Sequence, residues 1–166
     1  MSFRQFPIYL KFMLMGFLPS AGCAQPSDFD AMVRGLIDGD VELVYPDSLP
    51  SAQPVFLDAR EREEFTVSHI PGAVWVGYDD FDLARTNTFD KDAEIVVYCS
   101  VGYRSERIAR KLQKAGFTNV TNLYGGIFHW VNEDNQVVDA KGPTKRVHTY
   151  NEKWSKWLLK GEKVHD

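Results

Sequence analysis

The residues most suited to chemistry lie in a short loop that begins with a cysteine. Residues 99–105 read Cys-Ser-Val-Gly-Tyr-Arg-Ser, between an apolar run at 95–98 and a helical pattern at 104–115. Backbone N–H groups and the positive end of a helix would then be directed at the sulfur of Cys99. Such groups favour the thiolate, which is the reactive form of cysteine. The sequence therefore predicts that Cys99 is a nucleophile, with a buried, unreactive strand-end cysteine as the alternative.

The other loop residues are predicted to form a binding site around the cysteine. Gly102 can adopt a positive φ, which lets the loop curl and brings its N–H groups together. Arg104 is always charged and would bind an anionic group beside the sulfur; a structural ion pair with an acidic neighbour is its alternative role. The remaining candidates for the pocket are Ser100, Val101 and Tyr103.

An alternation of strands and helices would position this loop. Short apolar runs predict strands at 43–45, 55–57, 73–76, 95–98 and 120–123. Helices are expected at 28–37, with Ser27 or Asp28 as the cap, and at 61–65, 79–84 and 104–115. This order predicts an α/β fold, a five-stranded parallel sheet with helices on both faces. Ligands of such sheets bind beyond the carboxyl ends of the strands, where Cys99 falls.

The loop from Cys99 to Arg104 resembles the six-residue active-site loop of rhodanese-like sulfurtransferases, with the nucleophile first and an arginine last. Further segments resemble that family in the same order, and these are 56–60, 64–65, 69–73, 116–117 and 123–127 followed by Trp130. The resemblance places a single rhodanese-like domain over residues 41–132. Its fold would be the five-stranded α/β sheet already predicted.

The resemblance also implies a sulfurtransferase activity. A sulfane sulfur from a donor such as thiosulfate would pass through a Cys99 persulfide to a thiophilic acceptor, either a thiol or cyanide. Cys99 would be the catalytic residue, and the loop residues Ser100, Val101, Gly102, Tyr103 and Arg104 would bind the substrate. No cofactor and no metal is expected. Arg104 is the single cation of the loop, which puts thiosulfate in doubt as the physiological donor.

Two other functions stay open from the sequence. One is a non-enzymatic binding module on the same scaffold, although relatives of that kind typically lose the loop cysteine, which this chain keeps. The other is a cysteine-dependent phosphatase or arsenate reductase. Those signatures place five residues between cysteine and arginine, whereas four separate Cys99 from Arg104. The shorter loop indicates a smaller anion pocket, suited to a single sulfur.

Other polar residues are given structural roles. Asp58 and Arg60 follow the second strand, and we expect them to pair with neighbouring groups or with loop backbone. His69 precedes a turn, where its ring is expected to bond backbone. The remaining histidines share no ligand spacing with each other or with Cys99, so the sequence does not support a metal site.

Residues 1–24 read as an export signal. A basic start precedes a short apolar run at 12–18, and small residues follow at 20–24. Cleavage after Ala24 and lipid modification of Cys23 are the two processing routes that fit, with an uncleaved amphipathic N-terminus as the alternative. We therefore expect an exported protein that is periplasmic or anchored by lipid to a bacterial membrane.

The mature chain would be acidic. Removing Arg4 and Lys11 leaves 17 basic against 23 acidic residues, a net charge of −6. Such a charge, with no basic stripe, argues against nucleic acid as a partner. If Cys23 is removed or lipidated, Cys99 is the one remaining thiol and no internal disulfide can form. The expected partners are small molecules, and we expect a monomer.

Two segments flank the predicted domain. Residues 25–40 are expected to contain the N-terminal helix, and residues 133–166 a loop followed by a helix. The polar stretch at 132–144 is predicted to be a surface loop. The apolar residues beyond it share one helical face and predict a helix that docks on the domain; they are Tyr150, Trp154, Trp157 and Leu158.

Overall fold

The computed structural model describes residues 27–49 and 53–165. The export signal expected over 1–24, including Cys23, lies outside the described residues. Within these two ranges, no helix combines the length and the apolar character that crossing a membrane requires.

A parallel sheet of five strands, in the order β1-β5-β4-β2-β3, forms the centre of the fold. These strands are β1 (Leu43–Val44), β2 (Val55–Asp58), β3 (Val74–Trp75), β4 (Ile95–Tyr98) and β5 (Val120–Leu123). The predicted α/β fold is confirmed, and each strand begins and ends within one residue of its predicted bounds. Strand β4 is central, because it pairs with β2 on one side and with β5 on the other. The loop that begins at Cys99 therefore leaves the middle of the sheet.

Helices cover both faces of the sheet, as predicted. Successive residues of β4 point to opposite faces: Val96 and Tyr98 belong to one buried cluster, and Ile95 and Val97 to the other. Leu112 packs in the second cluster. The first face is covered by α1 (Asp28–Leu36) and α4 (Gly126–Asn132), and the second by α3 (Tyr103–Lys114).

Side-chain caps mark where α1 and a short 3₁₀ turn begin. The Ser27 hydroxyl accepts from Asp30 N at 3.1 Å and caps α1, so Ser27 is the cap of the two candidates. Helix α2 (Arg62–Val67) occupies the position predicted for 61–65. The helix expected at 79–84 is wrong: a 3₁₀ turn spans Leu83–Thr86 instead. It begins at Asp82, whose carboxylate accepts from Ala84 N at 2.9 Å.

The surface loop predicted at 132–144 is also wrong. This segment contains an antiparallel hairpin of β6 (Val137–Asp139) and β7 (Gly142–Thr144). The hairpin is bound to the domain because Val138 and His69 exchange two backbone hydrogen bonds of 2.9 Å each. Val137 is buried in the first cluster. The two valines thus belong to a half-buried strand. The sequence does not indicate this strand, because the residues around the valines are polar.

The C-terminal segment docks on the domain, but not as the single helix that was predicted. Helix α5 spans only Glu152–Ser155, between β8 (Arg146–His148) and β9 (Glu162–Val164), which pair in parallel. Leu158 is fully buried, with Trp154 and Trp157 packed against the same cluster. Tyr150 lies outside the helix and is 52% exposed. The chain between residues 146–148 and 162–164 contains one helical turn.

Candidate active site

Cys99 follows the last residue of β4 and lies below the N-terminus of α3. The residue is 1% exposed, and the backbone N–H of Gly102 donates to its Sγ at 3.1 Å. Gly102 has a φ of 110°, a left-handed conformation that residues with side chains rarely adopt. The positive φ predicted for this glycine is confirmed, and it turns the chain back over the sulfur.

The first turn of α3 has backbone N–H groups without an acceptor in the helix. The backbone N–H of Glu106 donates to Gly102 O at 3.2 Å, and this is where the helical hydrogen bonds begin. The N–H groups of Tyr103, Arg104 and Ser105 come before that bond, so they have no acceptor within the helix. They carry the partial positive charge of the helix terminus. Cys99 therefore lies at the positive end of α3.

A buried asparagine holds the loop in this shape. Asn122 of β5 donates from Nδ2 to Gly102 O at 3.0 Å, and its Oδ1 accepts from the Ser105 hydroxyl at 2.7 Å. The Ser105 Oγ is also 3.5 Å from Cys99 Sγ. Its single proton can serve only one of the two acceptors at a time. Asn122 thus fixes both the loop carbonyl and the hydroxyl nearest to the sulfur.

Arg104 forms an ion pair instead of extending freely into the site. Its Nη1 and Nη2 donate to the two oxygens of Glu64 at 2.6 and 2.9 Å, and Nη2 also donates to the Ser100 hydroxyl at 3.0 Å. Burial opposes the charge, but the Glu64 hydrogen bonds and the Coulombic attraction of Cys99 outweigh it and raise the pKa of Arg104. The structural ion pair, which the sequence left as an alternative, is what the structure contains. Much of the positive charge of Arg104 is therefore balanced before any ligand binds.

Glu64 is the centre of this polar network. Its side chain is 2% exposed, and it accepts from Arg104, from the Ser100 hydroxyl at 3.0 Å and from the backbone N–H of Glu61 at 3.0 Å. Burial alone would raise its pKa, but hydrogen bonds and Coulombic attraction from Arg104, with a further contribution from Arg60, lower it. The sequence predicts no role for Glu64 in the site. The contact joins residues that are 40 positions apart, so no local pattern indicates it.

Asp58 and Arg60 form the structural pair that the sequence predicted. The guanidinium donates to both Asp58 oxygens, with the closest contact at 2.7 Å, and both side chains are fully buried. Arg60 also donates to Ser68 O at 2.6 Å. His69 likewise bonds backbone, since its Nδ1 lies 3.0 Å from Phe65 O. These groups fix the chain after β2. Among the hydrogen bonds that the structure describes, none joins them to Cys99 Sγ.

A close backbone contact joins the cysteine loop to α4. The backbone N–H of Ile127 donates to Cys99 O at 2.9 Å, and that of Phe128 donates to Ser100 O at 3.2 Å. Gly126 has a φ of 56°, and a Cβ there would lie only 2.3 Å from Cys99 O. A glycine is therefore required at this position for packing against the loop. In the sequence, residues 123–127 resemble part of a family signature, but they do not indicate the packing requirement at Gly126.

A cavity of about 470 Å³ opens above the cysteine. Its lining combines the loop with residues from α1, from the segment after β3 and from the C-terminal segment. The lining residues named by the sequence analysis are Cys99, Ser100, Val101, Tyr103 and Arg104. Gly102 contributes its N–H to Sγ but does not line the cavity. The lining residues that the sequence analysis did not assign to the site are Leu36, Glu61, Tyr78, Asp79, Tyr150 and Trp154.

The cavity is mostly apolar, and two of its three charged side chains are acidic. Burial raises the pKa of Glu61 despite the attraction of Arg104, and the negative charges of Asp79 and Glu64 raise it further.

The Tyr150 ring centroid lies 5.8 Å from the Arg104 guanidinium carbon. Tyr150 has a φ of 65°, a strained conformation for a residue with a side chain. The C-terminal segment therefore reaches the candidate active site.

In the part of the chain that the structure describes, no group of three or more His, Cys, Asp or Glu side chains is arranged to hold a metal ion. Cys99 is the free cysteine of that part. The chemistry that this arrangement can perform is nucleophilic attack by one sulfur, in an environment that stabilises an anion.

A five-stranded parallel α/β sheet, with a cysteine that follows its central strand below a helix terminus, defines the class of fold. Residues 46–133 match the family model of the rhodanese-like domain. The chain belongs to the rhodanese-like family, as the sequence predicted.

Curated relatives carry names from sulfur chemistry. The putative sulfur carrier protein YrkF of Bacillus subtilis is 39% identical over 74 residues, which are 45% of this chain and 40% of that protein. The adenylyltransferase and sulfurtransferase UBA4 of Meyerozyma guilliermondii is 34% identical over 97 residues, which are 54% of this chain and 23% of that protein. The chain therefore spans less than half the length of these curated relatives.

Solved structures of other proteins share the fold. The BH2092 protein from Bacillus halodurans aligns with a TM-score of 0.55 at 22% identity, over 68% of this chain and 87% of that one. Thiosulfate sulfurtransferase from Pseudomonas aeruginosa aligns with a TM-score of 0.54 at 23% identity, over 71% of this chain and 23% of that one. At these identities the likeness concerns the fold alone.

Proposed function

We propose that this protein is a sulfurtransferase that carries a sulfane sulfur on Cys99. The observation that supports this most is the position of Sγ, which accepts from Gly102 N at 3.1 Å at the base of the cavity. The family membership and the names of the curated relatives point in the same direction.

The loading step would begin with the Cys99 thiolate. The thiolate attacks the outer sulfur of a donor such as thiosulfate, and a bond forms between Sγ and that sulfur. The S–S bond of the donor breaks, and sulfite leaves with its electron pair. The product is a Cys99 persulfide whose terminal sulfur is negatively charged. Loop N–H groups stabilise such a charge without transferring a proton to it, as an oxyanion hole does.

The unloading step would return the protein to its starting state. A thiol acceptor gives its proton to the terminal sulfur of the persulfide, and the acceptor thiolate then attacks that sulfur. The Sγ–S bond breaks, and its electron pair returns to Cys99. The proton stays on the transferred sulfur. Sulfur moves at the sulfane oxidation level in both steps, so the cycle needs no redox cofactor. Arg104 would orient an anionic donor only in competition with Glu64, which already binds it at 2.6 Å.

Intact-mass measurement before and after incubation with thiosulfate or an inorganic polysulfide tests this proposal. We expect the protein to gain one sulfur and to lose it again when cyanide or a thiol is added. Cys99→Ser should fold but gain no sulfur, because it lacks the polarisable nucleophile. Ser100→Ala is a matched control that leaves the nucleophile in place. Sulfur transfer by folded Cys99→Ser, or the absence of any sulfur gain from either donor, would overturn the assignment.

On residues 1–24 alone, we also propose export to the periplasm or to a bacterial membrane. The acceptor would then be a molecule present outside the cytosol. The signal pattern and the small residues before position 25 support this proposal.

A further inference from the structure

We infer that the acceptor of the sulfur is a small organic thiol that carries an alkylammonium group. This inference rests on the proposed function and names the class of molecule that the same cavity would admit. Three features of the cavity support it: its size, its aromatic walls and its charge.

The cavity is too large for an inorganic acceptor. Its volume of about 470 Å³ lies in the range of roughly 300–1,000 Å³ that is typical of sites for organic ligands. A water molecule occupies about 30 Å³ in the liquid. Cyanide has only one more heavy atom than water, so it would fill only a small part of the cavity. The acceptor needs a carbon skeleton to displace water from the apolar walls of the cavity, which include Leu36 and Val101.

Aromatic side chains surround the space above the sulfur. Tyr103 is contributed by the cysteine loop and Tyr78 by the segment after β3, whereas Tyr150 and Trp154 belong to the C-terminal segment. The last two lie beyond residues 46–133, so they are features of this chain and not of the family model. Several aromatic rings around one space can bind an alkylammonium group. One face of Tyr103 is already covered by the Arg107 guanidinium, 3.6 Å from the ring centroid, so the other three rings carry this argument.

The charge of the cavity favours a cation. Glu61 and Asp79 both line it, and Glu61 is 3.7 Å from Arg104. Arg104 is the sole cation among the described lining residues, and Glu64 already binds it through two hydrogen bonds. The persulfide would add one more negative charge. An anionic thiol would be repelled from these groups, and a cationic thiol would be attracted to them.

The transfer step is the same for any thiol of this class. The acceptor enters as a thiol and gives its proton to the terminal sulfur of the anionic Cys99 persulfide, and its thiolate then attacks that sulfur. A new S–S bond forms as the Sγ–S bond breaks. The electron pair of the broken bond returns to Sγ, and the acceptor leaves as an organic persulfide that keeps the proton. The ammonium group takes no part in the bond changes. Its role is to hold the acceptor against the carboxylates and the aromatic rings.

Three thiols of related size test the inference. Thiocholine carries a permanent trimethylammonium group, 3,3-dimethylbutane-1-thiol is its neutral isostere, and 3-mercaptopropionate is an anion. Protein loaded with one sulfur is mixed with each thiol, and loss of that sulfur is followed by intact mass. Intrinsic thiol reactivity cancels when the rate of each variant is divided by the wild-type rate for the same thiol.

The decisive variant removes both acidic side chains of the cavity, Glu61→Gln with Asp79→Asn. For thiocholine relative to its neutral isostere, we expect the unloading rate to fall about tenfold, or ~1.4 kcal/mol. Unloading by 3-mercaptopropionate should rise severalfold on the same scale. Asp92→Asn is the matched control. Asp92 precedes β4 whereas Cys99 follows it, so the two residues lie at opposite ends of the strand. It should leave all three relative rates within twofold.

Two further measurements keep the test decisive if the double variant does not fold. Asp79→Asn alone changes an exposed side chain and should lower the relative rate for thiocholine by about threefold. In wild-type protein, added salt should slow unloading by thiocholine and speed unloading by 3-mercaptopropionate, because salt screens exposed charges. Tyr150→Leu should raise the thiocholine concentration for half-maximal rate more than that of the isostere.

Each outcome decides between the two proposals. If Cys99 gains no sulfur from any donor, the proposed function fails, and this inference fails with it. If Cys99 loads but thiocholine, its isostere and 3-mercaptopropionate respond equally to loss of the two carboxylates, only the inference about the acceptor is overturned. Loading together with the predicted loss for thiocholine supports both.

Discussion

Replacing Glu64 with glutamine tests whether this residue withholds the charge of Arg104 from the cavity. The carboxylate accepts four hydrogen bonds: two from Arg104, at 2.6 and 2.9 Å, and one each from Ser100 and Glu61, at 3.0 Å. Glutamine keeps the shape of the side chain but removes its charge and one accepting oxygen. We expect the variant to be less stable than the wild type and yet to bind an anionic donor better.

The size of the stability loss follows from the burial of the two partners. Removing one partner of a buried ion pair typically costs about 3–5 kcal/mol, because the other charge stays buried without compensation. The Arg104 side chain is 15% exposed, so water can partly solvate it after the change. We therefore expect the free energy of unfolding to fall by about 2–3 kcal/mol at neutral pH. The thiosulfate concentration for half-maximal loading of Cys99 should fall about tenfold, because a freed guanidinium attracts the anion.

The pH dependence of the stability loss is a second signature. The pKa of Glu64 is lowered in the folded protein. Its ion pair therefore stabilises the fold fully above the pKa of the unfolded carboxyl, about 4.3, and this contribution is lost as pH falls through the lower folded-state value. The difference in unfolding free energy between wild type and Glu64→Gln should shrink in acid.

Urea unfolding followed by tryptophan fluorescence, at neutral and at acidic pH, measures the stability effect. Glu63→Gln is the matched control, since Glu63 is the exposed neighbour in the same helix, and it should change the unfolding free energy by less than about 0.5 kcal/mol. A Glu64→Gln protein as stable as the control, or one whose loading by thiosulfate is unchanged or weaker, would refute the reasoning about Arg104.

Two further substitutions and one localisation measurement have defined outcomes. Gly126→Ala would place a Cβ 2.3 Å from Cys99 O, so we expect the unfolding free energy to fall by about 3 kcal/mol and alkylation of Cys99 by iodoacetamide to change in rate; an unchanged urea midpoint contradicts this. Asn122→Ala leaves the Ser105 hydroxyl and the Gly102 carbonyl without their partner and should cost about 2 kcal/mol, which the same urea assay measures. In fractionated bacteria, the mass of the native protein should correspond to a chain that begins at residue 25 or at a lipidated Cys23, and cytosolic protein that begins at residue 1 or 2 contradicts export.

Local patterns in the sequence were sufficient for the sheet and for α3. Runs such as Ile95–Tyr98 are β-branched and apolar, and they form strands because both of their faces are buried. The pattern failed where tertiary contacts decide the structure. Val137 and Val138 form a strand because β7 pairs with them, and His69 adds two backbone hydrogen bonds to Val138. In the C-terminal segment, residues 146–148 and 162–164 pair as strands although they are far apart in the sequence.

The candidate site was predictable where its residues are consecutive. The loop around Cys99 and the left-handed Gly102 follow from one short motif. Glu64 and Asn122 do not, because each reaches the loop across the fold, from α2 and from β5. The same holds for Tyr150, which the helical spacing placed on a buried stripe but which stands outside the helix and lines the cavity. Sequence spacing gives no distance between segments that only the folded chain brings together.

The contact between α4 and the cysteine loop determines which way the peptide groups of that loop face. In a trans peptide the C=O of one residue and the N–H of the next point in opposite directions. Since the carbonyls of Cys99 and Ser100 are held by the backbone of Ile127 and Phe128, the N–H groups of Ser100 and Val101 must point away from α4. The direction of these two peptide groups is thus set by main-chain atoms, and a change of side chain at position 100 or 101 is expected to leave it unchanged.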